Sequence, residues 1–165
     1  MKTKRILITV TNDLSYDQRM LKTAETLISM GFAVTMIGRM RADSIPWKED
    51  RIEAHRMKLF FEKGKLFYIE YNIRLLIYLF FRDFSAITSV DLDTILPCLI
   101  ICKIHRKPLI HDAHEYFTEV PEVTERKWVK SCWKFLEKIG MKRCTKIYTV
   151  SDSIAELYRR EYSIP

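Results

Sequence analysis

Short apolar runs alternate with segments of helical periodicity along most of the chain. The runs are rich in Ile, Leu, Val and Thr, a pattern typical of strands buried on both faces of a parallel sheet. They occupy residues 5–10, 32–38, 52–59, 85–90, 107–112 and 146–150. The run at 52–59 carries alternating charges and therefore predicts an edge strand.

Helical patterns follow most of these runs. The resulting alternation predicts an α/β fold with a doubly wound, Rossmann-like sheet that is mainly parallel, has about six strands and lies between two helix layers. A chain of 165 residues is long enough for one core, so we expect a single domain, 1–165. Candidate helix caps are Asp17, Asp93, and Ser153 with Glu156 as a capping box.

Two helical segments could each lie either in a protein environment or at a membrane surface. Residues 65–84 are the most apolar part of the chain, but Glu70, Asn72 and Arg74 interrupt them, which favours a buried crossover helix over a membrane-seeking one. A later helix should turn inward the residues Trp128, Val129, Cys132, Trp133, Leu136 and Ile139. Its other face carries Lys127, Lys130, Lys134 and Lys138, a stripe that is either solvated or rests on anionic lipid headgroups.

The charge balance favours an anionic partner. The chain has 28 Lys and Arg residues against 21 Asp and Glu residues, a net charge of +7, which suits nucleotides, phosphates, acidic lipids or nucleic acid. Nucleic acid is disfavoured, because no basic run is interleaved with aromatic residues on a recognition element. The amino terminus lacks a stretch typical of a signal peptide, so we expect a cytoplasmic protein.

The four cysteines predict core thiols. Cys98, Cys102, Cys132 and Cys144 lie in or beside apolar helical patterns, where free cysteine packs as a small hydrophobe. No second ligand pair at a zinc-like spacing accompanies Cys98 and Cys102. We therefore expect no metal site.

Polar side chains gather where several predicted strands end. The carboxyl ends of parallel strands form the crevice in which ligands bind, and an arginine, carboxylates and imidazoles there can position hydroxyls, act as general bases or hold phosphate. The candidate binding residues are Asn12, Asp13, Asp17, Arg19, Asp91, Asp93, Asp112, Glu115 and Ser151. His111 and His114 lie in the same cluster; the alternative is that they are ordinary loop residues and that Glu115 caps the next helix.

Several common signatures are missing from the sequence. The first loop contains no glycine, which counts against NAD or FAD bound in the usual way. No Walker loop, nucleophile elbow or zinc signature is present either.

Four segments do form a recognisable series. They are Asn12-Asp13-Leu14-x-x-Asp17-Gln18-Arg19, Gly31-Phe32-x-Val34-Thr35-x-Ile37-Gly38-Arg39, Asp91-Leu92-Asp93-Thr94 and Asp112-x-His114-Glu115-Tyr116-Phe117. In this order and spacing the chain resembles, over nearly its whole length, the amino-terminal domain of bacterial family 4 glycosyltransferases. That family has two Rossmann-like domains in the GT-B arrangement.

The resemblance implies an acceptor-side domain whose partner domain holds the nucleotide-sugar donor. We expect that second domain to be absent from this chain, with Ile164 and Pro165 at the start of the linker. The implied reaction is metal-independent transfer with retention at the anomeric carbon, in which the leaving diphosphate helps to take the acceptor proton. It needs no cofactor beyond the donor substrate.

Residue roles follow from the same resemblance. His114 matches the family's active-site histidine, which contacts the donor sugar, and His111 would then be structural. Arg19 would contact phosphate or acceptor and Asp17 would orient it, while Asp91 and Asp93 would touch acceptor hydroxyls or act as caps. Relatives often carry glycines in the first loop, and this chain does not.

The leading hypothesis is therefore an acceptor domain that serves surface polysaccharide synthesis, with a sugar or lipid-linked acceptor and an anionic membrane surface as candidate partners. A stand-alone nucleotide- or phosphate-binding module without catalysis is the alternative. Nucleic-acid binding rests on charge alone.

Overall fold

The computed structural model describes residues 3–116 and 127–164. Within them, six strands form one parallel sheet in the order β3-β2-β1-β4-β5-β6. The strands are β1 (Arg5–Asp13), β2 (Ala33–Met40), β3 (Glu53–Lys58), β4 (Ala86–Val90), β5 (Leu109–Ala113) and β6 (Lys146–Thr149). The helices are α1 (Gln18–Ser29), α2 (Gly64–Phe80), α3 (Ile95–His105), α4 (Lys127–Arg143) and α5 (Asp152–Tyr162), with short 3₁₀ turns at Leu14–Tyr16 and Leu92–Thr94.

This architecture confirms the predicted Rossmann-like fold and the edge position of the third strand. Strand order reverses between β1 and β4, so the loops that leave these two strands open a crevice at the carboxyl edge of the sheet. Phe117, Pro121 and Pro165, which belong to the sequence predictions, lie outside the described residues.

Both faces of the sheet are buried because neighbouring residues of a strand point to opposite sides. Ile8 and Met36 pack with Met20 and Ala24 on the α1 side. Leu7, Ile37 and Ile87 belong to the core on the other side, which α2 and α3 cover through residues such as Tyr71, Leu75 and Ile101. The near-continuous apolar runs of the sequence reflect this two-sided burial.

The first loop differs from the prediction in how it begins. We expected the strand to end at Val10, but β1 continues to Asp13, with an irregular pairing between Thr9 and Asp13. Gly38 of β2 leaves room for this loop, since a Cβ at position 38 would lie 2.6 Å from Leu14 Cδ2 and 2.7 Å from the Asn12 carbonyl oxygen. The first loop therefore packs closely against β2 at Gly38.

Of the predicted caps, Asp17 is confirmed, because its carboxylate accepts a hydrogen bond from the Met20 amide at 3.1 Å. The Asp93 cap is wrong. Thr94 occupies the cap position of α3, and the Asp93 carboxylate accepts a hydrogen bond from the Thr11 hydroxyl.

The predicted capping box of Ser153 and Glu156 is also wrong. Ser151 caps α5, with its hydroxyl 3.4 Å from the Ile154 amide. Glu156 instead accepts a hydrogen bond from Arg160 at 2.8 Å, one helical turn further on.

The inward face of α4 differs from the prediction. Trp128 is 56% exposed and Cys132 is exposed, so neither is a core residue, while Glu137, Gly140 and Met141 are buried. The reason lies at Gly140, where a Cβ would overlap the side chain of Ile95 in α3. The missing side chain lets α4 approach α3 closely and fixes how the helix is rotated.

The four-lysine stripe of α4 is not a uniform surface. Lys134 forms an ion pair with Glu161 of α5, and Lys138 is exposed. The side chain of Lys127 lies outside the described residues. Of the other cysteines, Cys98 and Cys102 are buried and Cys144 is half-buried, as expected for core thiols.

In the part of the chain that is described, no helix combines the length and the apolar character that crossing a membrane requires.

Candidate functional site

The crevice at the carboxyl edge of the sheet is lined by residues that directly follow β4 and β5. Asp91 comes after β4 and adopts a positive φ of 54°, which is uncommon for a residue with a side chain. His114 comes after β5. The backbone amide of His114 donates a hydrogen bond to Asp91 Oδ1 at 3.1 Å, and its ring Nδ1 lies 3.7 Å from Asp91 Oδ2.

This pair leaves the imidazole reachable from solvent. The side chain of His114 is 30% exposed and that of Asp91 is 26% exposed. A ligand in the crevice can therefore contact the ring, while the carboxylate behind it holds the backbone in place.

Two carboxyl groups of the crevice, those of Asp91 and Asp93, have raised pKa values. Burial, followed by the nearby charge of Asp93, raises the pKa of Asp91 to about 8, against the opposing effect of Arg19. Burial also raises the pKa of Asp93 to about 6, although the hydrogen bond from Thr11 lowers it. A protonated carboxyl both donates and accepts hydrogen bonds, which suits recognition of hydroxyl groups.

Arg19 and Asp112 join the first helix to the fifth strand. Arg19 Nη2 contacts Asp112 Oδ1, and the Tyr148 hydroxyl donates to Asp112 Oδ2 at 2.8 Å. The Asp112 side chain is fully buried, whereas Arg19 is 30% exposed. Burial raises the pKa of Asp112, and Tyr148 and Arg19 lower it. Asp112 thus anchors Arg19 at the rim of the crevice.

His111 has a different environment from His114, although only two residues separate them. It is buried in β5 with Nδ1 3.1 Å from the Ser89 hydroxyl. Burial lowers its pKa to about 4, so the ring is neutral at physiological pH.

The candidate residues at the end of β1 and the start of α1 lie in two different places. Asp13 turns away from His114, because its carboxylate accepts hydrogen bonds from the Ser15 amide and Arg56 Nη2, both at 3.1 Å, and from the Ser44 hydroxyl. A cavity of about 280 Å³ beside the crevice is lined by Asn12, Asp13, Tyr16, Asp17, Arg39, Arg41 and Asp43. Thus Arg19 faces the crevice through its contact with Asp112, whereas Asn12, Asp13 and Asp17 line this neighbouring cavity.

The remaining predicted residues lie at the rim. Glu115 has an exposed side chain, and its carbonyl oxygen accepts a hydrogen bond from the Tyr158 hydroxyl at 3.1 Å. Ser151 is exposed beyond β6, where its hydroxyl caps α5. In residues 3–116 and 127–164, no group of three or more His, Cys, Asp or Glu side chains could hold a metal ion.

Sequence reasoning missed Tyr148, Thr11 and Arg41. Tyr148 lies directly opposite Asp112 in the pairing of β5 with β6. The strand register, once known, would have identified it, whereas the sequence pattern alone assigns Tyr148 only to a sixth strand.

The glycosyltransferase family 4 model matches residues 18–165. The chain belongs to this family. The match includes Arg19, Asp91, Asp93, Asp112 and His114, so the crevice lies within the family domain. None of the curated proteins compared with the chain matches it.

Solved structures of GT-B glycosyltransferases share the fold of this family member. Sucrose-phosphate synthase of Thermosynechococcus elongatus has a TM-score of 0.69 at 13% identity, over 96% of this chain and 45% of that one. Os79 of O. sativa in complex with UDP has a TM-score of 0.64 at 11% identity, over 97% and 51%. MurG of Acinetobacter baumannii has a TM-score of 0.55 at 9% identity, over 89% and 41%. The chain therefore spans about half the length of these relatives.

Proposed function

We propose that the chain is the amino-terminal, acceptor-side domain of a retaining, nucleotide-sugar-dependent glycosyltransferase of surface polysaccharide or glycan biosynthesis. The observation that carries the proposal is the Asp91–His114 pair at the carboxyl edge of a family 4 domain. It presents one accessible imidazole beside a group of carboxyls, as recognition of a sugar would require.

His114 is the residue that contacts the reacting donor sugar in this proposal. Asp91 holds the backbone of His114. With a pKa of about 8, Asp91 can donate and accept hydrogen bonds with acceptor hydroxyls, whereas Asp93, with a pKa of about 6, accepts them at neutral pH. Arg19, held by Asp112, supplies a positive charge at the rim for a phosphate or acceptor oxygen. Of the other candidate acceptor contacts, Glu115 and Ser151 lie at the rim, and Asn12 and Asp17 line the neighbouring cavity.

The donor sits on a second domain. This chain spans about half of the GT-B chains that it resembles, and one of them, Os79, is in complex with UDP. The leaving diphosphate would be stabilised mainly from that second domain, so no cofactor and no metal is needed and the 165-residue chain alone transfers no sugar. The acceptor is a sugar or a lipid-linked sugar, and the enzyme works peripherally at the cytoplasmic face of a membrane.

The test is a full-length enzyme with His114→Ala, assayed by initial rates with a radiolabelled donor. Loss of about 100-fold or more in kcat is expected if the imidazole stabilises the transfer centre. Lys138→Ala, at an exposed position of α4, is the matched control and leaves the rate unchanged. Normal turnover of His114→Ala, or sugar transfer by the isolated chain, would refute the corresponding part of the proposal.

A stand-alone phosphate-binding module is a second candidate, because Arg39 and Arg41 line the cavity beside the crevice, where Arg41 also pairs with Asp43 at 3.3 Å. Titration calorimetry of the isolated chain with a nucleoside diphosphate separates the two functions. The glycosyltransferase proposal predicts negligible heat without the second domain, whereas a binding module would show saturation.

A further inference from the structure

The outward face of α2 is apolar along its length. The inward face consists of Phe67, Tyr71, Leu75 and Leu79, which are all buried in the core. The solvent-facing positions from residue 66 onward within this helix, which is fully described, are Leu66, Ile69, Ile73, Ile77 and Phe80, each 50% to 56% exposed. A helix on the surface of a globular protein normally turns charged and polar residues outward, so packing of this domain does not explain the stripe.

The neighbouring helices extend this apolar surface. Leu96, Ile100 and Ile104 are exposed at every fourth position of α3, which packs beside α2. Phe81 is 79% exposed directly after α2. Between α3 and α4 lies a groove of about 920 Å³ whose apolar wall includes Leu96, Ile100, Ile104 and Ile139.

The rim of this surface at the amino edge of the sheet is strongly basic. The helices α2, α3 and α4 all end at the amino edge of the sheet, where the next strands begin. Exposed cations of this edge are Arg82, Lys103, Arg106, Lys107, Lys142, Arg143 and Lys146. Asp83 is the one carboxylate among the described residues of these three helix ends and the connections to the following strands. Lys103, Lys107 and Arg143 also line the groove, and its described lining includes no acid.

We propose that the α2 stripe, the outer face of α3 and the basic rim together form a docking surface for an anionic phospholipid bilayer. An apolar stripe bounded by Lys and Arg fits the boundary between acyl chains and negatively charged headgroups. A second copy of the chain fits poorly, because a two-fold interface would bring the same cationic rim against itself.

This surface orients the crevice. The 17 residues of α2 span about 25 Å and run from the carboxyl edge of the sheet to the basic rim. At the middle of α2, Asn72 donates a hydrogen bond to the Asp93 carbonyl at 3.0 Å, which ties the helix to the crevice. With α2 flat on the bilayer, the crevice lies toward the start of the helix and the basic rim lies at its end. The bilayer would be a partner of the proposed enzyme, so this inference rests on the proposed function.

The test is co-sedimentation of the purified chain with vesicles of neutral phosphatidylcholine, with or without about one third anionic phosphatidylglycerol. Ile73→Gln with Ile77→Gln should lower the partition coefficient by about 30-fold, since two exposed isoleucines no longer enter the apolar layer. Met30→Gln with Ile45→Gln removes two exposed apolar side chains elsewhere and should leave binding unchanged. Phe81→Gln, outside α2, provides a second variant that does not depend on the fold of the helix.

A charge test uses the anionic vesicles alone. Lys103→Gln with Lys107→Gln should lower binding about 25-fold, or about fivefold for each charge. Lys22→Gln with Lys48→Gln, which changes the net charge equally at exposed positions away from the rim, should have little effect.

Failure of the wild-type chain to bind anionic vesicles would overturn the inference, as would equal losses in the test and control variants. Concentration-dependent dimers that the stripe variants abolish, without vesicle binding, would assign the surface to a second copy instead. Vesicle binding needs no donor and no transfer, so it can fail while the proposed activity stands, and the reverse also holds.

Discussion

The amide nitrogen of His114 lies 3.1 Å from Asp91 Oδ1, so that one hydrogen bond joins the loops that leave β4 and β5. Asp91 makes this bond from a backbone conformation with φ of 54°. Its ψ of 176° places it in a region that residues other than glycine rarely adopt. Asp91 therefore combines a strained backbone with a carboxylate that accepts a hydrogen bond from the loop after β5.

Replacement of Asp91 by Asn should stabilise the domain at high pH. A raised pKa means that the folded state holds the proton more tightly, so stability is lost as pH rises from about 4, the unfolded value, to about 8. Asn keeps an oxygen for the His114 amide and carries no charge. We expect Asp91→Asn to raise Tm by roughly 4 °C at pH 8, or about 1 kcal/mol, and to change it little at pH 4. Thermal denaturation at both pH values measures this, with the exposed Asp50→Asn as control.

An Asp91→Asn variant whose stability at pH 8 equals or falls below that of the wild type would contradict the prediction that the ionised Asp91 carboxylate destabilises the folded domain. Activity of the same variant in the full-length enzyme separates two roles of Asp91. A change in kcat without a change in its pH profile would indicate positioning of His114, whereas a lost alkaline limb would indicate that the Asp91 proton itself is used.

Removal of the Tyr148 hydroxyl should destabilise the anchor of Arg19. Asp112 is fully buried and receives hydrogen bonds from Tyr148 and Arg19. Tyr148→Phe leaves one carboxylate oxygen without this donor, at a cost of about 1–3 kcal/mol. Urea denaturation measures the loss, and a double-mutant cycle with Arg19→Gln should show coupling between the two donors. Tyr16→Phe, which removes the same hydroxyl at an exposed position, is the control. Equal stability of Tyr148→Phe and Tyr16→Phe would contradict this prediction.

A side chain at position 38 should disrupt the first loop. The Cβ of Gly38→Ala would come within 2.6 Å of Leu14 and 2.7 Å of the Asn12 carbonyl. Because one of these atoms is backbone, rotation of a side chain cannot relieve the contact, and we expect a loss of about 1–3 kcal/mol. Chemical denaturation measures it, with Ser29→Ala at an exposed position as control. A Gly38→Ala variant as stable as Ser29→Ala would show that the loop is free to move.

The hydroxyls around Glu137 should be required for its burial. Tyr158 donates to Glu137 at 3.4 Å, and Tyr162 donates to its other oxygen. Tyr162→Phe should therefore lower the free energy of unfolding by about 1–3 kcal/mol, whereas Glu137→Gln, which retains a hydrogen-bond acceptor without the charge, should tolerate the loss better. Comparison of the single and double variants by urea denaturation tests this.

The strands were predictable because two-sided burial leaves continuous apolar runs, as in β1 and β4. The rotation of α4 about its axis could not be predicted. It depends on the close contact between Gly140 and Ile95, and on the tyrosine hydroxyls that donate hydrogen bonds to the buried Glu137. The strand ends in the sequence placed Asp91 near His114. The positive φ of Asp91 and the opposition of Tyr148 and Asp112 could not be predicted, because both depend on the tertiary register.

The burial of His111 has a practical consequence for spectroscopy. With a pKa held at about 4, its imidazole keeps one protonation state between about pH 5.5 and pH 8. In a proton NMR titration over that range, the ring signals of His111 would stay fixed. The chain thus contains an internal reference against which ligand-induced changes at His114, three residues away, can be read.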